Sequence, residues 1–568
     1  MGSSGKSSVV FSVLITFFIF AIALSIYTPV FETNDDVGLS MISAGYGIAA
    51  YATPNLTFSN ALYGEILNHL PVIAGILPYS YMTFFALFVA SYTLLDCLSK
   101  FNVSRSISCI IVLVIFVRAI SMPQFTVNSG LLALASVLSL LSYNKEPKLK
   151  YALLFIILAF YSYLIRYEEL YFVYLVAIPF IISKELFTKN SLKLFIALVI
   201  LCLFAKYFDS LHYSMASFDK FNGLKKYLSV LIDYGGASYL IQHPELLEIH
   251  GYSVNDMSLI RAFVFIDPYV VNQSRLHDLL VYYTPAARVH ANVWLGVEAI
   301  RSIFSDSMSY LVIFGLSIVP FSKHKYKLIF SWVIFSCLIA FLGIEGRPSI
   351  LRVYYAVICL LAVLPLVSLD NKNIRNIYCW VILVISSIFI YGINSYLAYS
   401  AIVLAIVFIA IDIFRGTKVV TNIIIVALFS LVIAVSYNYE LNRSLVIQAN
   451  NAQNDYKQLP NGIYYIFGDS YPFQYIYTPL DSDLNIAHIK LNSFGGLYYM
   501  PGTNSYSYSK SDESLHDMFK SSTPVKIIAN QMYVDLLSKY CSEHYSKSLD
   551  VLKTKTYSTF TTYVLVCK

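Results

Sequence analysis

The chain has 568 residues, 58% of them apolar and 13% charged, with a formal net charge of +6 and a mean hydropathy of +0.65. Soluble domains carry about 25% charged residues, so this composition excludes a single water-soluble globule, a disordered chain and a nucleic-acid-binding protein held by a basic patch. What it describes is an all-α polytopic membrane protein.

Apolar runs long enough to cross a bilayer fall, in chain order, near 8–31, 71–96, 106–122, 126–143, 150–166, 169–183, 192–208, 303–321, 328–344, 351–369, 376–393, 397–414 and 419–437, which predicts about thirteen helices. The first run is too long for a signal peptide and has no small-residue cleavage pattern, so it reads as a retained anchor. Met122-Pro123-Gln124 and Arg166-Tyr167-Glu168-Glu169 divide short pairs of runs that could be bent or re-entrant.

Basic residues fall in alternate loops: Lys100 and Arg105; Lys145, Lys148 and Lys150; Lys184, Lys189 and Lys193; Lys323, Lys325 and Lys327; Lys372 and Arg375; Arg415 and Lys418. With thirteen spans all of these lie on one side, which the positive-inside rule makes the cytoplasm, together with the N-terminus. The longer segments 32–70, 209–302 and 438–568 then lie outside.

The first outer segment is too polar to span and too apolar for a free linker, which predicts short helices along the membrane surface. The second, with brief apolar runs among Pro, Gly and His, predicts a partly helical cap. Residues 1–437 thus form the transmembrane domain with its outer loops, and 438–568 a small extracytoplasmic α/β domain. In that domain Gly462 to Gly468 and Val525 to Ala529 read as buried strands, Asp512 to Lys520 and Gln531 to His544 as helices, and Tyr557 to Cys567 as a closing strand. Cys541 and Cys567 could pair there. The remaining cysteines show no CxxC or Cys/His metal pattern.

Charges beside outer span ends are candidates for function, because charge there is costly. Thr33-Asn34-Asp35-Asp36 follows the first span. Two adjacent carboxylates repel, which raises the pKa of one or calls for a cation; such a group serves as a general base or holds a divalent metal. The alternative is a helix N-cap before Val37. Arg166 lies at head-group depth in front of Glu168 and Glu169, suited to a bidentate phosphate contact, or else these charges form a solvated hairpin. Arg347 and Arg352, after Glu345, defy the charge rule and need a local partner or an anionic ligand; Arg118, at the outer end of the third span, joins this set. Asn255 and Asp256 in the large loop could position a hydroxyl-bearing substrate, or merely be solvated. Nearby tyrosines, among them Tyr234, Tyr239, Tyr252, Tyr269, Tyr282 and Tyr283, suit sugar stacking or an interfacial belt.

One span, an outer loop opening on Asn34-Asp35-Asp36, many further spans and an outer C-terminal domain: this arrangement resembles the polytopic GT-C class of glycosyltransferases. It is also similar to bacterial membrane proteins that modify O-antigen and other surface glycans, whose opening carboxylates precede Gly-rich and aromatic segments, here Gly38, Gly45, Gly47 and Asn60 to Gly64. The resemblance implies a bacterial inner-membrane enzyme that moves one sugar from a polyprenyl-phosphate donor to a glycan acceptor on the periplasmic face, with inversion. It assigns the base to Asp35 or Asp36 and the donor phosphate to Arg166, Arg347, Arg352 and Arg118. Glu168 and Glu169 depart from the pattern and could replace or assist the first pair; Asp35 and Asp36 fit either a proton or a divalent metal, and no other cofactor is assigned. The rival readings are a polysaccharide polymerase or ligase working on polyprenyl-diphosphate glycans, and a lipid-linked glycan transporter, which would show paired halves with broken helices.

Overall fold

The computed structural model describes residues 3–182, 189–265, 267, 268, 270–288, 292–304, 308–369, 403, 419–467, 472–481, 489–493, 495, 497, 499–503 and 515–568. The expected spans 376–393 and 397–414 lie, but for residue 403, outside the described residues, as do Lys184, Lys372, Arg375, Arg415, Lys418, Tyr269 and Gly468.

The chain begins with α1 (Ser3–Ile26), two short helices α2 (Asn34–Ala44) and α3 (Ala61–His69), and then α4 (Pro78–Lys100), α5 (Arg105–Ser121), α6 (Phe125–Lys145), α7 (Leu149–Ile181) and α8 (Lys189–Tyr213). After the cap come α15 (Ser309–Ile318), α16 (Lys325–Ile344), α17 (Leu351–Val367) and α18 (Val419–Lys457); between α8 and α15 lie α9 (Asp219–Ile232), α10 (Gly236–Gln242), α11 (Pro244–Ile249), α12 (Val254–Arg261), α13 (Gln273–Arg288) and α14 (Val293–Ser302). Among the described residues seven helices are long and apolar enough to cross a membrane, those of α1, α4, α6, α7, α8, α16 and α18, with shorter apolar helices at 309–321 and 351–367. α18 does not stop at 437 but continues to Lys457.

α6 is the hub. Its apolar window is entirely buried, and its small residues (Ser129, Gly130, Ala133, Ala135, Ser136, Ser139) let neighbouring backbones come close. A Cβ at Gly130 would meet the Cβ of Ala356 on α17 at 2.3 Å, so only glycine permits that crossing.

α7 folds back on itself at Arg166, whose backbone is extended (φ −160°, ψ 102°) within otherwise helical chain. The ring of Phe195 on α8 lies 5.2 Å from Phe155 in the first arm and 6.3 Å from Tyr174 in the second. In a straight helix those two residues would stand about 28 Å apart. Ser129 Oγ donates to the carbonyl of Arg166 at 2.9 Å, occupying an acceptor that the break sets free. The short runs 150–166 and 169–183 are therefore the two arms of one hairpin.

Basic loops meet at one end of the bundle: Lys100 Nζ bonds Glu146 at 2.8 Å, Lys145 Nζ the carbonyl of Lys100 at 2.7 Å, and Lys150 Nζ Asp96 at 2.7 Å. Arg166, at the α7 reversal, and Asp35, after α1, belong to the other end.

The C-terminal sheet consists of β1 (Gly462–Ile466), β2 (Ile489–Ser493), β3 (Val525–Ile528), β4 (Leu549–Thr556) and β5 (Thr561–Cys567) in the order β2-β1-β3-β5-β4. β1 runs parallel to β2 and β3, while β5 is antiparallel to β3 and β4. The helices α19 (Leu515–Lys520) and α20 (Gln531–Tyr545) complete it, and a Cys541–Cys567 disulfide ties α20 to β5. This domain rests on α2 and the segment after it: Tyr477 O–H donates to Val37 O at 3.4 Å, Leu491 N–H to Gly47 O at 3.3 Å, and Ala50 N–H to Gly502 O at 2.9 Å.

Candidate active site

α2 starts immediately after the extended Thr33, which puts Asp35 and Asp36 in its first turn, where carboxylates suit the positive helix end. Consecutive residues on a helix point about 100° apart, so the two carboxylates have different surroundings.

Asp36 points inward and is fully buried. Its Oδ1 accepts from Tyr79 O–H at 2.8 Å and from the Phe125 N–H at 2.9 Å, and its Oδ2 from Thr33 O–H at 2.9 Å. Phe125 opens α6, so Asp36 caps the hub helix from another element and joins α2, α4 and α6. Burial pushes its carboxyl up to about 7 against the pull of these donors, and the charge of Asp35 adds to the rise.

Asp35 is half-buried and makes no hydrogen bond or ion pair with a described residue. Burial raises its carboxyl; Arg352 and then Arg166 pull it down, and Asp233 of the cap pushes it up. Arg352 opens α17, is half-buried, and likewise has no described hydrogen-bond or ion-pair partner. Arg166 lies over the rings of Phe125 at 5.0 Å and Phe58 at 5.9 Å; its Nε is 3.9 Å from Glu168 Oε2 and is buried without a hydrogen-bond acceptor. Glu169 is buried, its Oε2 also unpartnered, beside Gly130. Arg347 lies 3.8 Å from Asp233 and over the ring of Tyr234 at 5.8 Å. One carboxylate able to accept a proton therefore lies within electrostatic range of Arg352, which has no described ion-pair partner, and of Arg166, which is paired only at 3.9 Å with Glu168.

The remaining sequence candidates are engaged elsewhere. Arg118 is buried and bonds Glu32 at 2.7 Å, fastening the end of α5 to the segment after α1. Asp256 completes a capping box with Ser253 at the start of α12 and meets His544 Nε2 at 2.8 Å; Asn255 Nδ2 donates to Leu536 O at 3.1 Å. Both fasten the cap to α20.

A divalent metal does not fit the Asp35–Asp36 pair. Three donors already occupy the carboxylate of Asp36, which has no accessible surface, and Asp35 points into cationic surroundings. Among the described residues, the three-residue group of potential ligands is Asp256 of the cap with Glu543 and His544 of α20.

Sequence reading missed Asp233, Tyr79 and Lys225. Lys225 on α9 reaches the carbonyl of Thr57 at 3.4 Å and lies within electrostatic range of Glu168 and Arg166. Nothing in the local pattern of these residues distinguishes them from ordinary loop and helix-end polar groups. No family model matches the chain, and no curated protein matches it.

Proposed function

We propose that the chain is a thirteen-span glycosyltransferase of the bacterial inner membrane, moving a single sugar from a polyprenyl-phosphate donor to an O-antigen-like surface glycan on the periplasmic face. The basic loops and N-terminus are cytoplasmic; the cap and the C-terminal domain are periplasmic. The observation that carries this reading is Asp35, a half-buried carboxylate without a described hydrogen-bond partner, within electrostatic range of Arg352 and Arg166.

Asp35 takes the proton of an acceptor hydroxyl, and that oxygen attacks the anomeric carbon. The bond from the anomeric carbon to the phosphate oxygen breaks with its electron pair leaving on the polyprenyl phosphate. Attack opposite the leaving group inverts the centre. Negative charge on the phosphate grows as the bond breaks, so fixed guanidinium groups of Arg166 and Arg352, with Arg347 beside them, stabilise the transition state more than the bound donor. Asp36 does not touch the reactants; it sets the height of α2. The lipid tail is held by bilayer-facing helix surfaces.

The test is reconstitution of the full chain with a polyprenyl-phosphate sugar and a glycan acceptor, alongside glycan analysis of cells carrying Asp35→Asn. Loss of one sugar substituent at unchanged glycan length is the expected result. A collapse of glycan length would point instead to a polymerase or ligase, and unchanged glycan would overturn the reading.

A further inference from the structure

α14, the last helix of the cap, has three distinct faces. Gly296, Ala299 and the following Ile303 are buried, and the approach to α16 is backbone-close: a Cβ on Gly343 would meet Leu295 O at 2.4 Å and the Cβ of Ala299 at 2.8 Å, and one on Gly296 would meet Ala340 O at 3.0 Å. Next to this contact, at helical spacing, lie Val293, Val297 and Ile300, 67%, 49% and 36% exposed; Trp294, 77% exposed, stands on the flank between Arg301 and Glu298. Glu298, Arg301 and Ser302 make up the remaining, polar arc.

Among the described residues none is shown covering the apolar arc, and it continues the exposed apolar surface of a membrane-length helix. α16 is one of the membrane-length apolar helices and only 33% of its window is buried; its outer face exposes Ile329, Phe330, Val333 and, beside the α14 contact, Phe341 at 59%. α14 grips α16 at residues 340–344, the end away from the basic loops and directly before Arg347. A bare apolar arc next to a lipid-facing surface, with tryptophan on its flank and backed by a polar arc, is the pattern of a helix lying in the bilayer interface.

We infer that α14 is an interfacial anchor whose Val293–Val297–Ile300 face inserts into lipid at head-group depth, with Trp294 and Arg301 on its flank at the head groups. Through its glycine contact with α16 it fixes the height of the Arg347 and Arg352 turn relative to the membrane. The inference does not depend on the transferase reading.

The tryptophans of the chain are Trp294, Trp332 and Trp380. The full-length Trp332→Phe/Trp380→Phe variant, in phosphatidylcholine vesicles, isolates the emission of Trp294. Bromines placed high on the acyl chains are expected to quench it at least twofold, with bromines near the chain ends and aqueous acrylamide much less effective. Strong acrylamide quenching with no bromine effect would overturn the inference by showing a face in water. Insensitivity to both would overturn it too, by showing a protein cover such as a second copy. If the double variant does not fold, the quenching lost between wild type and Trp294→Phe gives the same readout.

Discussion

The carboxylate of Asp36 accepts a hydrogen bond from the backbone amide of Phe125 at 2.9 Å, so the second acid of the opening motif closes the N-terminus of the hub helix. Replacing it by Asn turns an acceptor into a partial donor among three donors. Asp36→Asn is therefore expected to destabilise the chain by about 1–3 kcal/mol. The pH dependence has a definite sign. The folded carboxyl titrates at about 7, above the ordinary value of about 3.9, so the folded state holds the proton more tightly. This contribution is fully present below pH 4, declines as pH rises and is gone above pH 7. Melting curves in detergent between pH 4 and 8 should show a slope in the wild type that is reduced in Asp36→Asn.

Asp35 should behave in the opposite way. It makes no described hydrogen bond, so Asp35→Asn leaves the unfolding free energy within about 0.5 kcal/mol of wild type, as for a residue outside the packing network. Loss of a general base costs about 100- to 10,000-fold in rate. Transfer assays and melting curves on Asp35→Asn and Asp36→Asn should therefore separate: the first loses activity with its fold intact, the second loses stability. Equal loss of both properties in both variants would contradict this division of roles.

Arg118 and Arg352 form a second contrasting pair. Arg118 is committed to Glu32; removing one partner of a buried pair costs about 3–5 kcal/mol, and the lower end is expected because Glu32 keeps 21% exposure. Arg352 has no described partner to abandon, so Arg352→Gln should fold normally. A charge-assisted contact contributes about 1.5–3 kcal/mol, which predicts donor binding weaker by roughly 10- to 100-fold. Titration of donor lipid against both variants, with melting curves alongside, checks the assignment.

How much of this could be read from the sequence depended on whether the signal was local. Apolar runs marked the long helices, and the break at Arg166 was visible because charged residues interrupt a run that would otherwise continue. In the C-terminal domain the buried β1, β3 and β5 and the helix α20 were legible from apolar patterning. β4 was not, because it is an edge strand exposed along most of its length and carries Lys553 and Lys555, which suit an edge and hide the strand signal. β2 depends on pairing with β1 across a long connection. At the site, the sequence marked Asp35 and Asp36 as one motif. Their division follows from helical geometry at α2 and from Tyr79 and Phe125, which come from distant parts of the chain. For the same reason Asp233 was invisible: its importance is its position against Arg347, set by the fold of the cap.

The cap and the C-terminal domain are held together by buried carboxylates of the cap. Asp256 meets His544 Nε2 at 2.8 Å, and Asp267 accepts from Tyr540 O–H at 2.7 Å, with His516 3.7 Å from it. Asp256 raises the imidazole of His544 above its ordinary value, with Asp267 and Glu543 adding to the rise against burial. A raised imidazole gives stability that is complete below about pH 6.5 and is lost as pH rises through the raised value. The contact between α12 and α20 should thus be firmest in mild acid and loosen towards alkaline pH. His544→Gln keeps a hydrogen-bonding side chain but cannot take up charge, so it should remove most of this dependence while the Cys541–Cys567 disulfide keeps α20 on β5. Limited proteolysis within 209–302 from pH 5 to 9 is the direct measurement. Cleavage of the wild type should accelerate as pH rises, whereas His544→Gln should be cleaved at the faster rate throughout; a wild-type rate that tracks only the protease's own pH profile would show that the charge on His544 contributes nothing to the contact.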